Sequence, residues 1–455
     1  MIKEILDAGF VLQQRDYLAR RLQSEAEQLQ AGNPESAEMA EKFEVEEEDL
    51  RAAAAMLADA SATPDDKTCF IPGDQALSLL QASLNEAYMT SGLVQTEAIS
   101  GLDAVGGKVA ITDLRLPPEA VTKAVTDGFV AGSTSSDPRY VTQFLLARAS
   151  RLFRRRPPFR DQPARATIAN RARVILFGDW GSGVPRAVAT ARHIKRLLTE
   201  KPDYEGHAIH IGDIYFAGFG YEYKQRALPF WPGTDGHSWA IAGNHDMYTG
   251  GAGFLNDFLA DPKFSAQQAK HWFVLENDNW QIFGLDSAYA LPGATGQRGE
   301  LAGTQAQQVH QIRTASPGKG GILLTHHQPF NVSAGAFEIH SPKMVDALQP
   351  VLHANLVRGW FWGHEHDAAV YKPWNNVAYP CLTGHAGVPE AFKQRSLDGQ
   401  QRWRWSDHLA TTDGDYFSMG FTVLDFDEGS CEVSFYNEDG VRQPFPDGRH
   451  VITKV

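Results

Sequence analysis

Short apolar runs that stop on a metal-capable side chain recur through the second half of this sequence, and they constrain its fold more than any other feature. The first, Val174-Ile-Leu-Phe177, runs to Asp179, after which Gly181 and Gly183 lead into a helix-like stretch from Arg186 to Thr199. An apolar run between an Arg-rich segment and a Gly-rich turn predicts a short, fully buried strand. Similar runs end at Asp213, at Asn244-His-Asp246, at Asp286, at His326-His327 and at His364-Glu-His366, with a helix pattern from Gly303 to Thr314. Strands alternating with helices predict an α/β fold, in which ligands collect beyond the carboxyl ends of the strands. One such Asp is equally well a turn or cap residue. The recurrence is what argues for a shared site.

At 455 residues the chain exceeds the size at which a single core stops growing, ~250–300 residues. Two domains are expected: a mainly helical N-terminal region over 1–165 and an α/β domain over 170–455, with a Pro-rich linker (Pro157 to Pro163) near the break. Residues 1–60 pattern as a helical hairpin, with Leu18, Leu22 and Leu29 on one stripe and Met39, Phe43, Leu50 and Leu57 on the other. Gly32-Asn-Pro34 supplies its turn. The acidic run Glu44 to Asp49 reads as a solvated face. A third helix follows Asp74, residues 93–116 suggest short strands, and Pro117 opens another short helix. Asp137-Pro138 caps a helix running to about Arg155. Its arginines suit an anionic partner, but a charged helix end complementing the dipole is the simpler reading.

At the far end, Phe421–Phe426 and Cys431–Tyr436 form a hairpin that a second sheet packed on the first would explain. The aromatic segment 386–416 reads as an irregular lid or specificity loop, or as a surface excursion.

A net charge of −13 argues against a general nucleic-acid or anionic-membrane binder, although nucleic acid stays open as a substrate. The three cysteines, Cys69, Cys381 and Cys431, offer neither a disulfide framework nor a paired metal spacing, which suits a reducing compartment. The first residues lack a signal peptide's apolar run, and no stretch approaches ~18 uninterrupted apolar residues. A cytoplasmic location is expected.

Carboxylate, amide oxygen and imidazole together suit borderline divalent ions. Two such ions ~3.5–4 Å apart polarise an ester's oxygens and turn a bridging water into hydroxide near neutral pH. That is chemistry for attack on phosphorus. Competing motifs fail: the glycines of Gly178-Asp-Trp-Gly-Ser-Gly183 fit neither a dinucleotide fingerprint nor a P-loop, and Gly236-His-Ser-Trp-Ala240 lacks the last glycine of a serine elbow.

The ordered blocks Gly178-Asp-Trp-Gly181, Gly212-Asp213, Gly243-Asn-His-Asp246, Leu323-Leu-Thr-His326 and Gly363-His-Glu-His366 resemble the calcineurin-like metallophosphoesterase superfamily. The resemblance spans about 174–366 and does not reach residues 1–165. It implies a double β-sheet sandwich flanked by helices and a phosphodiester or phosphomonoester substrate. Two divalent metals are implied, Mn foremost, with Fe, Zn or Co as alternatives. On the same footing, Asp179, Asp213 and His366 would hold the first metal, and Asp213, Asn244, His326 and His364 the second. His245 would protonate the leaving oxygen, with Asp246 orienting it; His327 would line the rim and His385 is a further candidate. The Gly-Asp-Trp-Gly form resembles purple acid phosphatases. Gly181, however, stands where much of the superfamily has His, and Phe216 stands where those phosphatases have a Tyr ligand, with Tyr215 one step early. The first site is therefore short of a ligand. Two function classes follow: a metal-dependent phosphoesterase, or a binding or scaffold protein that kept the fold with weak or no activity.

Overall fold

The computed structural model describes residues 8–61, 72–90, 138–181, 185–290, 297–411 and 414–454. They form two compact units, one from residues 1–157 with 183–185 and 248–250, the other from 158–182, 186–247 and 251–455. The expectations for residues 93–116 and for a helix at Pro117 lie outside the described residues.

The first unit is helical: α1 (Ala8–Gln30), α2 (Pro34–Lys42), α3 (Glu47–Asp59), α4 (Gln75–Thr90) and α5 (Pro138–Arg154). Leu18 and Leu22 of α1, Leu50 and Leu57 of α3, Leu77 and Leu80 of α4 and Phe144 of α5 are buried, as their helical spacing requires. The second arm expected of the hairpin is broken into α2 and α3. Glu44 takes a left-handed φ of 53°, and α3 restarts on a capping box in which Asp49 Oδ2 accepts from Glu46 N at 2.9 Å. The acidic run is thus more than a solvated face. It also receives the arginines of α5: Arg148, Arg151 and Arg154 stand 3.8, 4.0 and 3.0 Å from Glu44, Glu46 and Glu48. These pairs are exposed, each worth ~1 kcal/mol or less.

The second unit is a two-sheet sandwich. Its strands are β1 (Ala164–Thr167), β2 (Arg171–Phe177), β3 (Glu205–His210), β4 (Ser238–Ala240), β5 (Phe273–Glu276), β6 (Trp280–Gly284), β7 (Gly320–Thr325), β8 (Phe330–Ser333) and β9 (Ala336–Ile339). Then come β10 (Gly359–Trp362), β11 (Ala368–Tyr371), β12 (Tyr379–Thr383), β13 (Gln401–Arg404), β14 (His408–Thr411), β15 (Gly414–Phe417), β16 (Gly420–Asp427), β17 (Ser430–Asn437) and β18 (His450–Thr453). One sheet has the order β1-β5-β6-β7-β10-β12-β11-β13, the other β18-β17-β16-β2-β3-β4. Strands β2, β3 and β4 run parallel, as do β6, β7, β10 and β12.

Alternation along the strands builds the layers. Ile322 and Leu324 of β7 join Val174, Leu176, Ile209 and Phe426 in the core between the sheets. Leu323 points the other way, onto a layer with Val309 of α8 (Gln305–Ala315) and Leu348 of α9 (Pro342–His353); α6 (Pro185–Glu200) and α7 (Asn244–Met247) precede these two helices. This is the helix-flanked double sheet that the resemblance implied. The closing hairpin is β16–β17, and β16 pairs with β2 to complete the second sheet. The segment 386–416 is more ordered than expected: β13 is an edge strand, and Trp403 and Trp405 belong to the core.

Candidate metal centre

The carboxyl ends of β2, β3, β4, β7 and β10 deliver the candidate residues to one place. Asn244 Oδ1 lies 2.9 Å from His326 Nε2 and 2.9 Å from His364 Nδ1, and these two nitrogens are 3.2 Å apart. Asp213 Oδ2 stands 3.3 Å from His326 Nε2. Metal bonds of ~2.0–2.2 Å put neighbouring ligand atoms ~3 Å apart, so this spacing is that of a closed ligand set. His366 Nε2 is 3.8 Å from Asp179 Oδ1. Asp179, Asp213 and His326 each offer a ligand atom within 4.8 Å of the other two. Asp179 Oδ1 is buried without a hydrogen-bond partner, which a buried carboxylate oxygen rarely tolerates. These residues could hold a divalent ion.

Backbone strain marks the same residues. Asp179, Asp213 and His364 have φ of 54°, 59° and 68°, a left-handed conformation that costs on the order of 1–3 kcal/mol each and clusters at functional sites. Gly243 permits the close packing: a Cβ there would sit 2.1 Å from Asp213 Oδ1.

Each imidazole is held by its far nitrogen. His326 Nδ1 faces the Ile211 carbonyl at 3.0 Å, His245 Nδ1 faces the Phe216 carbonyl at 2.6 Å, and His364 Nε2 faces Gln297 Oε1 at 3.3 Å. Donation to these oxygens leaves His326 Nε2 and His364 Nδ1 with the lone pair a metal needs. Neither the two carbonyls nor Gln297 is visible in a motif, because a backbone oxygen has no sequence signature.

Burial dominates the electrostatics. It raises the Asp179 carboxyl well above the ordinary carboxylate range. For Asp213 burial also acts upward, but the imidazoles of His326 and His245 outweigh it and hold the carboxyl low. His326 is correspondingly raised: burial acts downward, and Asp213 overcomes it. Burial lowers His364 and His366. The pocket thus shares one proton-stabilised pair, Asp213–His326, while burial favours the neutral forms of His364 and His366.

Three expectations change. Asp246 does not orient the His245 ring: its Oδ2 accepts from Gly243 N at 2.8 Å and Asp213 N at 2.9 Å, and its Oδ1 accepts from Ile214 N at 3.2 Å and Tyr223 Oη at 2.8 Å. It ties the strand-end loops together, and Asp213 Oδ1 in turn accepts from His245 N at 2.9 Å. His327 is not at the rim. It is fully buried, 2.9 Å from Ser287 Oγ through Nδ1, and its ring centroid is 4.9 Å from that of His364. His385 stays outside the ligand set, stacked edge-on against Trp405 with centroids 4.4 Å apart; burial pushes it down to about 3. Among the other strand-end residues, Asp286 caps a turn, its Oδ1 accepting from Ala288 N and Tyr289 N at 2.9 Å.

Fold and site together define a sandwich with a cluster of metal-capable side chains at its strand ends. Residues 172–368 match the family model of calcineurin-like phosphoesterases. A 3',5'-cyclic adenosine monophosphate phosphodiesterase, CpdA, of Vibrio vulnificus (strain CMCP6) is 28% identical over 129 residues, which are 28% of this chain and 42% of that one. The match thus spans less than half of the curated relative. Among solved structures, GAP50, the anchor in the inner membrane complex of Plasmodium, aligns at TM-score 0.44 and 13% identity, over 63% of this chain and 89% of its own. The yellow lupin purple acid phosphatase PPD1 aligns at 0.40 and 16% identity, over 65% and 55% of the two chains. A dimetal phosphatase of Danio rerio aligns at 0.39 and 12% identity, over 65% and 100%. No helix among the described residues is long and apolar enough to cross a membrane.

Proposed function

We propose that this chain is a metal-dependent phosphoesterase that hydrolyses a phosphodiester or a phosphomonoester. The observation that carries this reading is the convergence of Asn244 Oδ1, His326 Nε2, His364 Nδ1 and Asp213 Oδ2 at 2.9–3.3 Å, beside the orphaned Asp179 Oδ1. Asp179, Asp213 and His366 would hold one ion, and Asp213, Asn244, His326 and His364 the other, with Asp213 between them. Bound ions supply Lewis-acid polarisation of the ester and a water nucleophile acidic enough to ionise near neutral pH. Mn²⁺ is our choice, since three of the six proposed ligands offer oxygen.

The chain's own groups do the rest. The Phe216 carbonyl accepts a hydrogen bond from His245 Nδ1–H and leaves Nε2 directed toward Asp213 Oδ2, 3.9 Å away. As the imidazolium, with a proton on each nitrogen, His245 would contact the scissile phosphate and pass its Nε2 proton to the departing oxygen, becoming the neutral ring. Asp246 acts at one remove, by fixing the backbone of residues 213, 214 and 243. We further propose that 170–455 is the catalytic domain, that 1–165 is a separate helical domain, and that the protein is cytoplasmic. The buried free thiols of Cys381 and Cys431 support the last point.

The test is hydrolysis of bis(p-nitrophenyl) phosphate, p-nitrophenyl phosphate and 3',5'-cyclic AMP by chelator-stripped protein resupplied with Mn²⁺. Metal-dependent turnover of any one supports the reading. Two tightly bound ions with no turnover of all three would instead support a scaffold protein.

A further inference from the structure

A second group of metal-capable side chains stands at the opposite end of β3. Glu205 opens that strand and His207 follows two residues later, so both share one face. β4 runs parallel beside it in the register Ala208 to Ser238, and Ala208 N donates to the His237 carbonyl at 3.0 Å. His237 therefore stands next to His207, with ring centroids 4.8 Å apart. His207 Nε2 is 3.2 Å from Glu205 Oε2, and His237 Nδ1 is 3.9 Å from Glu205 Oε1. The ligand atoms of all three residues lie within 4.8 Å of one another.

His207 is only 3% exposed and its Nε2 faces the Glu205 carboxylate at 3.2 Å, while His237 Nδ1 is buried with no hydrogen-bond partner. Buried polar atoms are rarely left so. Zinc–ligand bonds of ~2.0–2.1 Å at tetrahedral angles set ligand atoms ~3.3 Å apart; the His207–Glu205 contact matches at 3.2 Å, and His237, at 3.9 Å from Glu205, would close on a bound ion by a small side-chain shift. We propose that Glu205, His207 and His237 bind a divalent cation of borderline softness, Zn²⁺ foremost, separate from the ions at the carboxyl ends of the strands. One contact opposes it: the Trp239 indole N–H lies 3.4 Å from His207 Nδ1 and favours a proton on Nε2. That bond is long, beyond the ordinary N–H range of 2.7–3.2 Å, and is weaker than a metal–imidazole bond. The cation would staple β4, a three-residue edge strand, to β3. Since β4 leads into Asn244 and His245, it would also steady the far site.

The full chain, stripped by chelator, reloaded with Zn²⁺ and desalted, is compared with His237→Ala and Glu205→Gln. His237 has a side chain 40% exposed, so its replacement spares the core. Each variant is expected to retain one zinc fewer per chain than wild type, with unchanged circular dichroism, and zinc should raise the wild-type melting temperature more than that of either variant. Equal zinc content in all three proteins overturns the proposal. So does wild-type zinc at this site that appears only at millimolar concentration, the mark of an adventitious ion. Should Glu205→Gln fail to fold, the comparison with His237→Ala decides alone.

Discussion

Gly181 and Ile214 approach so closely that a Cβ on the glycine would stand 1.9 Å from the Ile214 carbonyl oxygen and 2.0 Å from its carbon. The glycine of the first motif is therefore fixed by backbone packing, and an imidazole cannot be restored at that position. Gly181→Ala should destabilise the protein by ~1–3 kcal/mol or more, the range for overpacking, because the atoms in the way are main chain. Gly181→His should give no gain in metal affinity. Melting curves and metal titration of both variants check this; a stable Gly181→His protein with a tighter first ion would contradict it.

The two ends of the strands were legible to different degrees. Apolar runs stopping on Asp179, Asp213, Asn244, His326 and His364 foretold both the sheet and the pocket, since a strand that ends on such a residue can place it only beyond the carboxyl edge. What escaped was whatever depends on a third partner. The role of Asp246 is set by the amides of residues 213, 214 and 243, and the break at Glu44 by a cap that only the α3 start reveals. His237 has no motif; it gains meaning from its register beside His207. The aromatic run at Trp403 looked irregular because alternation over four residues, at an edge, is too short a pattern to separate strand from loop.

Asp213 and His245 should separate cleanly by mutation. Asp213→Asn removes the charge between the two proposed ions and should cost both, read as metal content after desalting. His245→Ala should keep both ions and lower kcat by ~10²–10⁴-fold, the usual worth of a general acid. Two ions retained by Asp213→Asn would end the bridging assignment.

Asp246 should behave as a structural carboxylate. Asp246→Ala leaves buried N–H groups of Gly243, Asp213 and Ile214 without their acceptor, at ~1–3 kcal/mol for each unsatisfied group. Tyr223→Phe removes only the 2.8 Å hydroxyl contact and should cost ~1 kcal/mol. Denaturant melts distinguish the two. Equal, small losses would return Asp246 to a role on the substrate side.

Metal binding should be strongly pH-dependent. In the metal-free protein His326 is raised above 6.5 by Asp213, and Asp213 is lowered below 3.8 by its imidazole neighbours. The raised imidazole stabilises the fold fully below pH 6.5 and loses that effect as pH rises past its folded value; the lowered carboxyl stabilises above pH 3.8 and loses it on acidification. The pair is thus worth most between these two values, and a cation must displace its proton. Affinity for the ion proposed at Asn244, His326 and His364 should climb about tenfold per pH unit until His326 is neutral, at about pH 9. Chelator competition from pH 6 to 9 measures it, and a flat profile would contradict the shared proton.

The two ions should also differ in strength. The Asn244–His326–His364 group brings ligand atoms to 2.9–3.3 Å, whereas His366 and Asp179 stand 3.8 Å apart and His366 is a quarter exposed. Phe216 has no phenolate to offer, and its ring packs 4.9 Å from that of Tyr215. The ion at Asp179 and His366 should therefore dissociate first on dialysis. Activity should fall with it and return on adding Mn²⁺, and the iron-loaded protein should show no tyrosinate charge-transfer band. Stepwise dialysis with metal analysis, activity and an absorption spectrum tests all three together. Equal retention of both ions, or a purple iron form, would mean that Tyr215 or another side chain completes the first site.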